Sequence, residues 1–197
     1  MSFLDYKEKI LCASKYFSID EIIKIHHLGI TMFGENYVKD LLSKKNKLKD
    51  YPKIKWHFIG NLQSNKIKMV INEIDAFETL TSLKQAKLIQ KHRIKPLDTY
   101  IQINLSDNSR KQGVLVKDLD LFIQEIEKYD KINLIGLMTM GIYNNQKETD
   151  IIFKTLNELK IKYNLKKTSM GMSGDYKIAL KHQSDLLRIG SLFKEVI

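Results

Sequence analysis

A lysine closes the first apolar run of the chain, Ile10-Leu11-Cys12-Ala13-Ser14-Lys15. The run reads as a strand and a helical pattern starts at Ser18, so Lys15 stands where a strand ends. An amine there can reach into a pocket while its stem stays packed, and it can condense with an aldehyde to a Schiff base. A solvated surface lysine is the plainer alternative in a chain with 33 Lys+Arg. Ser173-Gly174 and Gly190-Ser191 each set a small hydroxyl beside a glycine, and exposed N–H groups in such loops suit a phosphate. Arg188 closes an apolar strand in a chain whose only other arginines are Arg93 and Arg110. Guanidinium does not deprotonate in proteins, so an inward-facing Arg188 is a permanent donor. Set against a pyridine nitrogen, it would keep that nitrogen unprotonated and weaken the ring as an electron sink.

These residues need a scaffold that gathers strand ends. Strand-like runs fall at 10–13, 30–33, 55–59, 76–79, 99–104, 132–138, 167–170 and 186–189. Helical patterns separate them: 18–28, opened by Ser18 with Glu21 three residues on as in a capping box, then a stretch to about Lys49, one to Val70, and one to His92. Further patterns cover Val116 to Tyr129, Thr149 to Tyr163 and Tyr176 to His182. Strict alternation argues for a parallel sheet, and eight strands close a barrel. A (β/α)8 barrel needs at the low end about 200 residues, so 197 residues predict a near-minimal TIM barrel in one domain spanning 1–197. An open doubly wound sheet is the runner-up, but no G-x-G-x-x-G follows the first strand. Loops after the strands of a barrel share one face. That face collects Lys15, Glu35-Asn36, His57, Thr79, Asn104, Met138, Ser173 and Arg188-Ile189-Gly190-Ser191.

Composition narrows the classes. The net charge of +10 invites a nucleic-acid reading, yet the densest basic cluster, Lys44 to Lys49, has no aromatic interleaving, and lysine far exceeds the arginine that base readout favours. A solvated helix end accounts for it, and no specific nucleic-acid binding is expected. Cys12 lies among apolar neighbours and reads as a buried structural thiol. No apolar run approaches a membrane span, and Met1-Ser2-Phe3-Leu4-Asp5 carries no signal-peptide pattern, so a cytoplasmic protein is expected.

The motifs are specific when taken together. Ala13-Ser14-Lys15, Phe33-Gly34-Glu35-Asn36, Trp56-His57-Phe58-Ile59-Gly60-Asn61-Leu62-Gln63-Ser64-Asn65-Lys66, Gly136-Leu137-Met138-Thr139-Met140, Ser169-Met170-Gly171-Met172-Ser173-Gly174-Asp175 and Arg188-Ile189-Gly190 occur in this order. From about Leu11 to Ser191 the chain resembles the pyridoxal-phosphate homeostasis proteins. The resemblance implies a barrel like the N-terminal domain of alanine racemase, of the fold type III kind, holding pyridoxal 5′-phosphate (PLP). It implies Lys15 as the aldimine lysine, Ser173 with Gly190 and Ser191 as the phosphate cradle, and Arg188 facing the pyridine nitrogen. Asn36, His57 and Met138 would line the pocket, with a structural hydrogen-bonding role the alternative for His57. Three stretches depart from the family pattern. The segment before the first strand is short, so a family helix is trimmed to Phe3 through Lys9 or lost. Gln183-Ser184-Asp185 stands where Gly-Ser-Thr is usual, and Ser191-Leu192-Phe193-Lys194-Glu195 where Thr-Ala-Ile-Phe-Gly is more common.

Three functions compete at this point. The first is a monomeric, non-catalytic carrier that buffers PLP or delivers it to PLP-requiring apoenzymes. The second is a racemase-like enzyme on amino acids. Racemisation needs a base on each face of the carbanion; in alanine racemase the second base comes from another domain, and a chain ending at Ile197 offers none, although Tyr16 or Tyr37 could substitute. The third is a small phosphate-ester enzyme with Lys15 as an electrostatic clamp. The carrier is the expectation.

Overall fold

A computed structural model of the chain describes residues 2–106 and 112–197. Its strands are β1 (Ile10–Ala13), β2 (Met32–Glu35), β3 (Lys55–Phe58), β4 (Ala76–Leu80), β5 (Leu97–Asn104), β6 (Val114–Leu115), β7 (Ile132–Met138), β8 (Lys167–Met172) and β9 (Leu186–Ile189). All pair in parallel in the order β4-β3-β2-β1-β9-β8-β7-β5, and β5 returns to β4, so eight strands close the expected (β/α)8 barrel. The ninth, two-residue β6, pairs only with the end of β5. It was not expected from the polar stretch before Gly113, part of which lies outside the described residues.

The helices are α1 (Ile19–His27), α2 (Val38–Lys47), α3 (Ile67–Val70), α4 (Leu83–His92), α5 (Leu119–Ile126), α6 (Gln146–Lys162) and α7 (Tyr176–Lys181). Ser18 opens α1 with the expected box: its hydroxyl accepts from the Glu21 N–H, and the Glu21 carboxylate accepts from the Ser18 N–H at 2.7 Å. None of these helices is long and apolar enough to cross a membrane.

Alternation divides the core in two. Leu11, Tyr100, Ile135, Met138 and Leu186 fill the barrel interior as one cluster. Their neighbours in sequence, such as Cys12, Ile101, Leu137 and Leu187, turn outward to the helices. Each fully buried aliphatic side chain contributes about 1.5–3 kcal/mol.

Several strand bounds differ from the sequence reading: β2 starts at Met32, β3 ends at Phe58, β4 reaches Leu80 and β5 starts at Leu97. The second strand runs to Glu35 instead of stopping at Phe33, because Gly34 belongs to it: a Cβ there would lie 2.7 Å from the Leu11 side chain, across the barrel pairing. The seventh barrel strand, β8, continues to Met172. The departures at the chain ends are absorbed by packing. Phe3–Lys9 forms 3-10 turns, Ser191–Glu195 forms another, and Phe3 meets Phe193 edge-on at 5.1 Å. Ser184 is fully buried, and its hydroxyl lies within 2.8–2.9 Å of the carbonyls of Met170 and Leu186.

Candidate functional site

The lysine at the end of β1 is held by its predecessor. The Ser14 N–H donates to the Gly34 carbonyl at 2.9 Å, carrying the β1–β2 pairing one residue past the strand. Its hydroxyl donates to Glu35 Oε1 at 2.7 Å. Lys44, from α2, donates to the same carboxylate oxygen and to the Ser14 carbonyl, each at 2.7 Å. Lys44 is therefore no part of a solvated helix end; its side chain is only 13% exposed. Leu11 and Ala13 place the odd-numbered residues of β1 on the barrel side, so Lys15 continues that parity above the mouth. The Lys15 side chain is exposed, with Nζ 4.8 Å from the ring centroid of Tyr16.

Beneath the mouth lies a buried polar chain. Arg188 on β9 donates through Nη1 to the Ser169 hydroxyl and through Nη2 to the Thr139 carbonyl, both at 2.7 Å. Ser169 on β8 donates onward to Glu78 Oε2 at 2.6 Å. The other oxygen of Glu78 is 2.7 Å from Nδ1 of His57 on β3. Burial pushes the Glu78 carboxyl up, but the hydrogen bond and charge of His57, the charge of Arg188 and the Ser169 hydroxyl outweigh it and hold the group below its ordinary range. Burial also lowers Arg188, opposed by Glu78, Asp175 and Tyr100. The Tyr100 hydroxyl is pushed up, by burial first and then by the Glu78 charge.

On the far side of the mouth the β8 and β9 loops meet. The Gly190 N–H donates to the Ser173 hydroxyl at 3.2 Å, and Ser191 opens the terminal 3-10 turn. A Cβ on Gly174 would meet nothing within 4 Å, so this loop faces open space. Asp175 folds back under it, accepting from the Met172 N–H.

The remaining expected site residues lie at different levels. Asn36 follows β2 at the mouth, half-buried, and its backbone packs so closely on Gly60 that a Cβ at Gly60 would lie 2.2 Å from its carbonyl oxygen. Met138 ends β7 and is 2% exposed, packed with Leu11 and Tyr100 as the floor of the mouth. His57 was expected at the rim but sits inside β3, whose end is Phe58. It lines a cavity of about 390 Å³ at the opposite end of the barrel with Met32, Lys55, Asp98 and Tyr100. It is linked toward the mouth through Glu78. Thr79 donates to the Gly60 carbonyl at 2.6 Å and Asn104 accepts from the Ser106 N–H, so both fasten loops.

Sequence reading missed Glu78, Ser169 and Lys44. Glu78 had a usable signal: it is the single charge in the strand Ala76-Phe77-Glu78-Thr79-Leu80, and a charge inside an apolar strand must find a partner. Ser169 and Lys44 had none, since serine and lysine are ordinary in their surroundings.

The family described as "Alanine racemase, N-terminal domain" matches residues 7–193. The pyridoxal phosphate homeostasis protein of Buchnera aphidicola subsp. Schizaphis graminum is 36% identical over 204 residues, covering 97% of this chain and 88% of its own. PipY of Synechococcus elongatus, solved with PLP bound, superposes with a TM-score of 0.84 at 23% identity, covering 95% of this chain and 92% of that one. Alanine racemase from Corynebacterium glutamicum superposes with a TM-score of 0.71 at 15% identity, over 96% of this chain and 56% of that one. The last two show the shared fold. With the family match spanning the barrel and a relative this similar over nearly its whole length, the chain belongs to the pyridoxal phosphate homeostasis proteins, built on the alanine racemase N-terminal barrel.

Proposed function

We propose that residues 1–197 act as one unit that binds pyridoxal 5′-phosphate and serves its homeostasis, holding the cofactor for buffering or for delivery to PLP-requiring apoenzymes. The observation that carries the reading is the vertical order at the mouth: an exposed Lys15 amine above, the Met138 floor and the anchored Arg188 guanidinium below, and the Ser173–Gly190 junction to one side. That order fits a flat ring bearing an aldehyde and a phosphate. The Lys15 amine adds to the aldehyde carbon and water leaves, so the attachment is a covalent Schiff base. Ser173, Gly190 and Ser191 take the phosphate, and the open space beyond Gly174 leaves room for it. Asn36 borders the ring from β2, Met138 lies beneath it, and His57 acts from below through Glu78. The PLP bound to PipY on the same fold supports the cofactor class.

Holding without turnover is favoured by two features. The bound cofactor supplies an electron sink, and Arg188 would donate a hydrogen bond to the ring nitrogen without giving up its proton, which keeps that sink weak. The candidates for a second base are also poorly placed. Tyr16 is 78% exposed on the same flank as the Lys15 amine, and Tyr37, 63% exposed, lines a cleft with Leu42, Phe58 and Met69 that adjoins the mouth at Asn36. The alanine racemase fold keeps the racemase-like reading as the second one. Mass spectrometry of the borohydride-reduced protein tests the proposal: a pyridoxyl group is expected on the Lys15 peptide and is lost in Lys15→Ala. Colourless protein that takes up no added PLP would falsify the cofactor reading. Rapid Lys15-dependent α-proton exchange of one amino acid in deuterated water would overturn the preference for a carrier.

A further inference from the structure

The interior chain runs from Arg188 through Ser169 to the Glu78 carboxylate, with His57 on that carboxylate's other oxygen. Arg188 donates to Ser169, Ser169 donates to Glu78, and Nδ1 of His57 lies 2.7 Å from the other oxygen of Glu78, to which it donates in the tautomer that carries the proton there. Ionised, as the contacts of His57, Arg188 and Ser169 favour, Glu78 accepts at both oxygens and donates at neither. Glu78 is fully buried and Arg188 is 6% exposed; Glu78 is the foremost negative charge compensating Arg188, while Glu78 itself is held first by His57 and then by Arg188.

We propose that Glu78 is a positioning residue for the cofactor: through Ser169 it fixes the orientation of Arg188, and its charge balances the guanidinium beneath the ring. The inference rests on the reading that PLP occupies the mouth above Arg188. Asp175 and Tyr100 are the other titratable groups that bear on Arg188. Asp175 lies on the loop above and Tyr100 belongs to the interior cluster, and neither shares a hydrogen bond with the guanidinium as Ser169 does. Removing the Glu78 charge leaves a nearly uncompensated cation under the cofactor. An added positive field disfavours a second positive charge at the Lys15 nitrogen bonded to the cofactor. Glu78 therefore acts on Lys15 without touching it, from β4 across the barrel.

The test is a pH titration of the visible absorption band of PLP-loaded protein, wild type against Glu78→Gln, with urea unfolding to establish that both are folded. The variant is expected to move the midpoint to lower pH by about one unit, a tenfold change in the proton equilibrium. Glu78→Asp, which restores the charge, returns it toward wild type, whereas a purely structural role would lower the urea midpoint and leave the titration where it was. Ser169→Ala breaks the link while leaving the carboxylate, shifts the midpoint in the same direction by less, and decides the matter if Glu78→Gln does not fold. Folded variants that titrate as wild type overturn the inference. Wild-type protein that binds no PLP at all overturns the function beneath it, and the wild-type arm alone reports that.

Discussion

The Lys44 ammonium and the Glu35 carboxylate meet at 2.7 Å behind the residue that precedes Lys15. Glu35 is fully buried, and Lys44 reaches it from α2 while also holding the Ser14 carbonyl. An ion pair out of solvent gains little over an apolar replacement, but leaving one charge behind is costly. Its place suggests what it does: it ties α2, the end of β2 and the end of β1 to a single point, so the backbone of Lys15 starts from a fixed position.

Lys44→Ala strands the Glu35 carboxylate and is expected to lower stability by about 3–5 kcal/mol. Urea unfolding reads this directly. The double variant Glu35→Gln with Lys44→Met removes both charges and should lose less than Lys44→Ala alone. A double variant as unstable as the single one would mean the packing of the two stems, not their charges, dominates.

Phe193 holds both ends of the chain to the barrel. Its ring meets Phe3 at 5.1 Å and Phe17 at 6.5 Å, both edge-on. Phe193→Ala opens a cavity among these rings and should cost about 3–5 kcal/mol, as large aromatic truncations do. Phe193→Leu should recover much of that in the same unfolding measurement. Equal losses from the two variants would show that the edge-on ring contacts, not the filled volume, hold the terminal 3-10 turn.

The barrel was legible because its signal is repetitive. Eight apolar runs alternating with helical periods specify a closed parallel sheet whatever the exact boundaries: β2 gained a glycine-containing end at Glu35, where turn and strand look alike, and ends of β2, β3, β4 and β5 moved by one or two residues without changing the alternation. The residues at the mouth were legible as strand ends, which is why Lys15, Asn36, Ser173 and Gly190 are found there. His57 was misplaced by the same rule, since one residue pair along β3 separates the rim from the interior. The polar chain could not be read, because its members come from β3, β4, β8 and β9 and meet only on closure of the barrel. A sequence carries each residue's chemistry but not its partners across such distances.

Gly60 is required by the approach of Asn36, not by an unusual backbone angle. A Cβ there would fall 2.2 Å from the Asn36 carbonyl oxygen and 2.6 Å from its Cα, and neither atom can swing aside. Gly60→Ala is expected to cost about 1–3 kcal/mol as an overpacking change and to push the loop after β2 off the mouth. PLP affinity should fall with it. Equilibrium titration of the variant under conditions where it is folded separates the two effects, and unchanged affinity would remove Asn36 from the pocket.

Two carboxyls of the barrel mouth and interior, Glu78 and Asp175, shift in opposite directions and respond oppositely to acid. Glu78 is held below its ordinary value of 4.5, since the His57, Arg188 and Ser169 contacts outweigh the burial that raises it. The unfolded chain therefore takes up this proton at higher pH than the folded one, so the Glu78 contribution is complete above pH 4.5 and is lost as pH falls through the lower folded value. Asp175 runs the other way. Burial raises it from 3.8 despite the Met172 N–H and the Arg188 charge, so it opposes folding once pH rises through the folded value, and acid relieves that cost. In urea midpoints taken from about pH 6 down to about pH 3, Glu78→Gln should begin well below wild type and converge on it as pH falls. Asp175→Asn keeps an oxygen for the Met172 N–H, so it should begin at or above wild type and fall more steeply in acid. Curves that stay parallel to wild type for Glu78→Gln would show that its carboxyl is not ionised in the folded barrel, and one of its two hydrogen bonds, to His57 or to Ser169, would then run in the opposite direction.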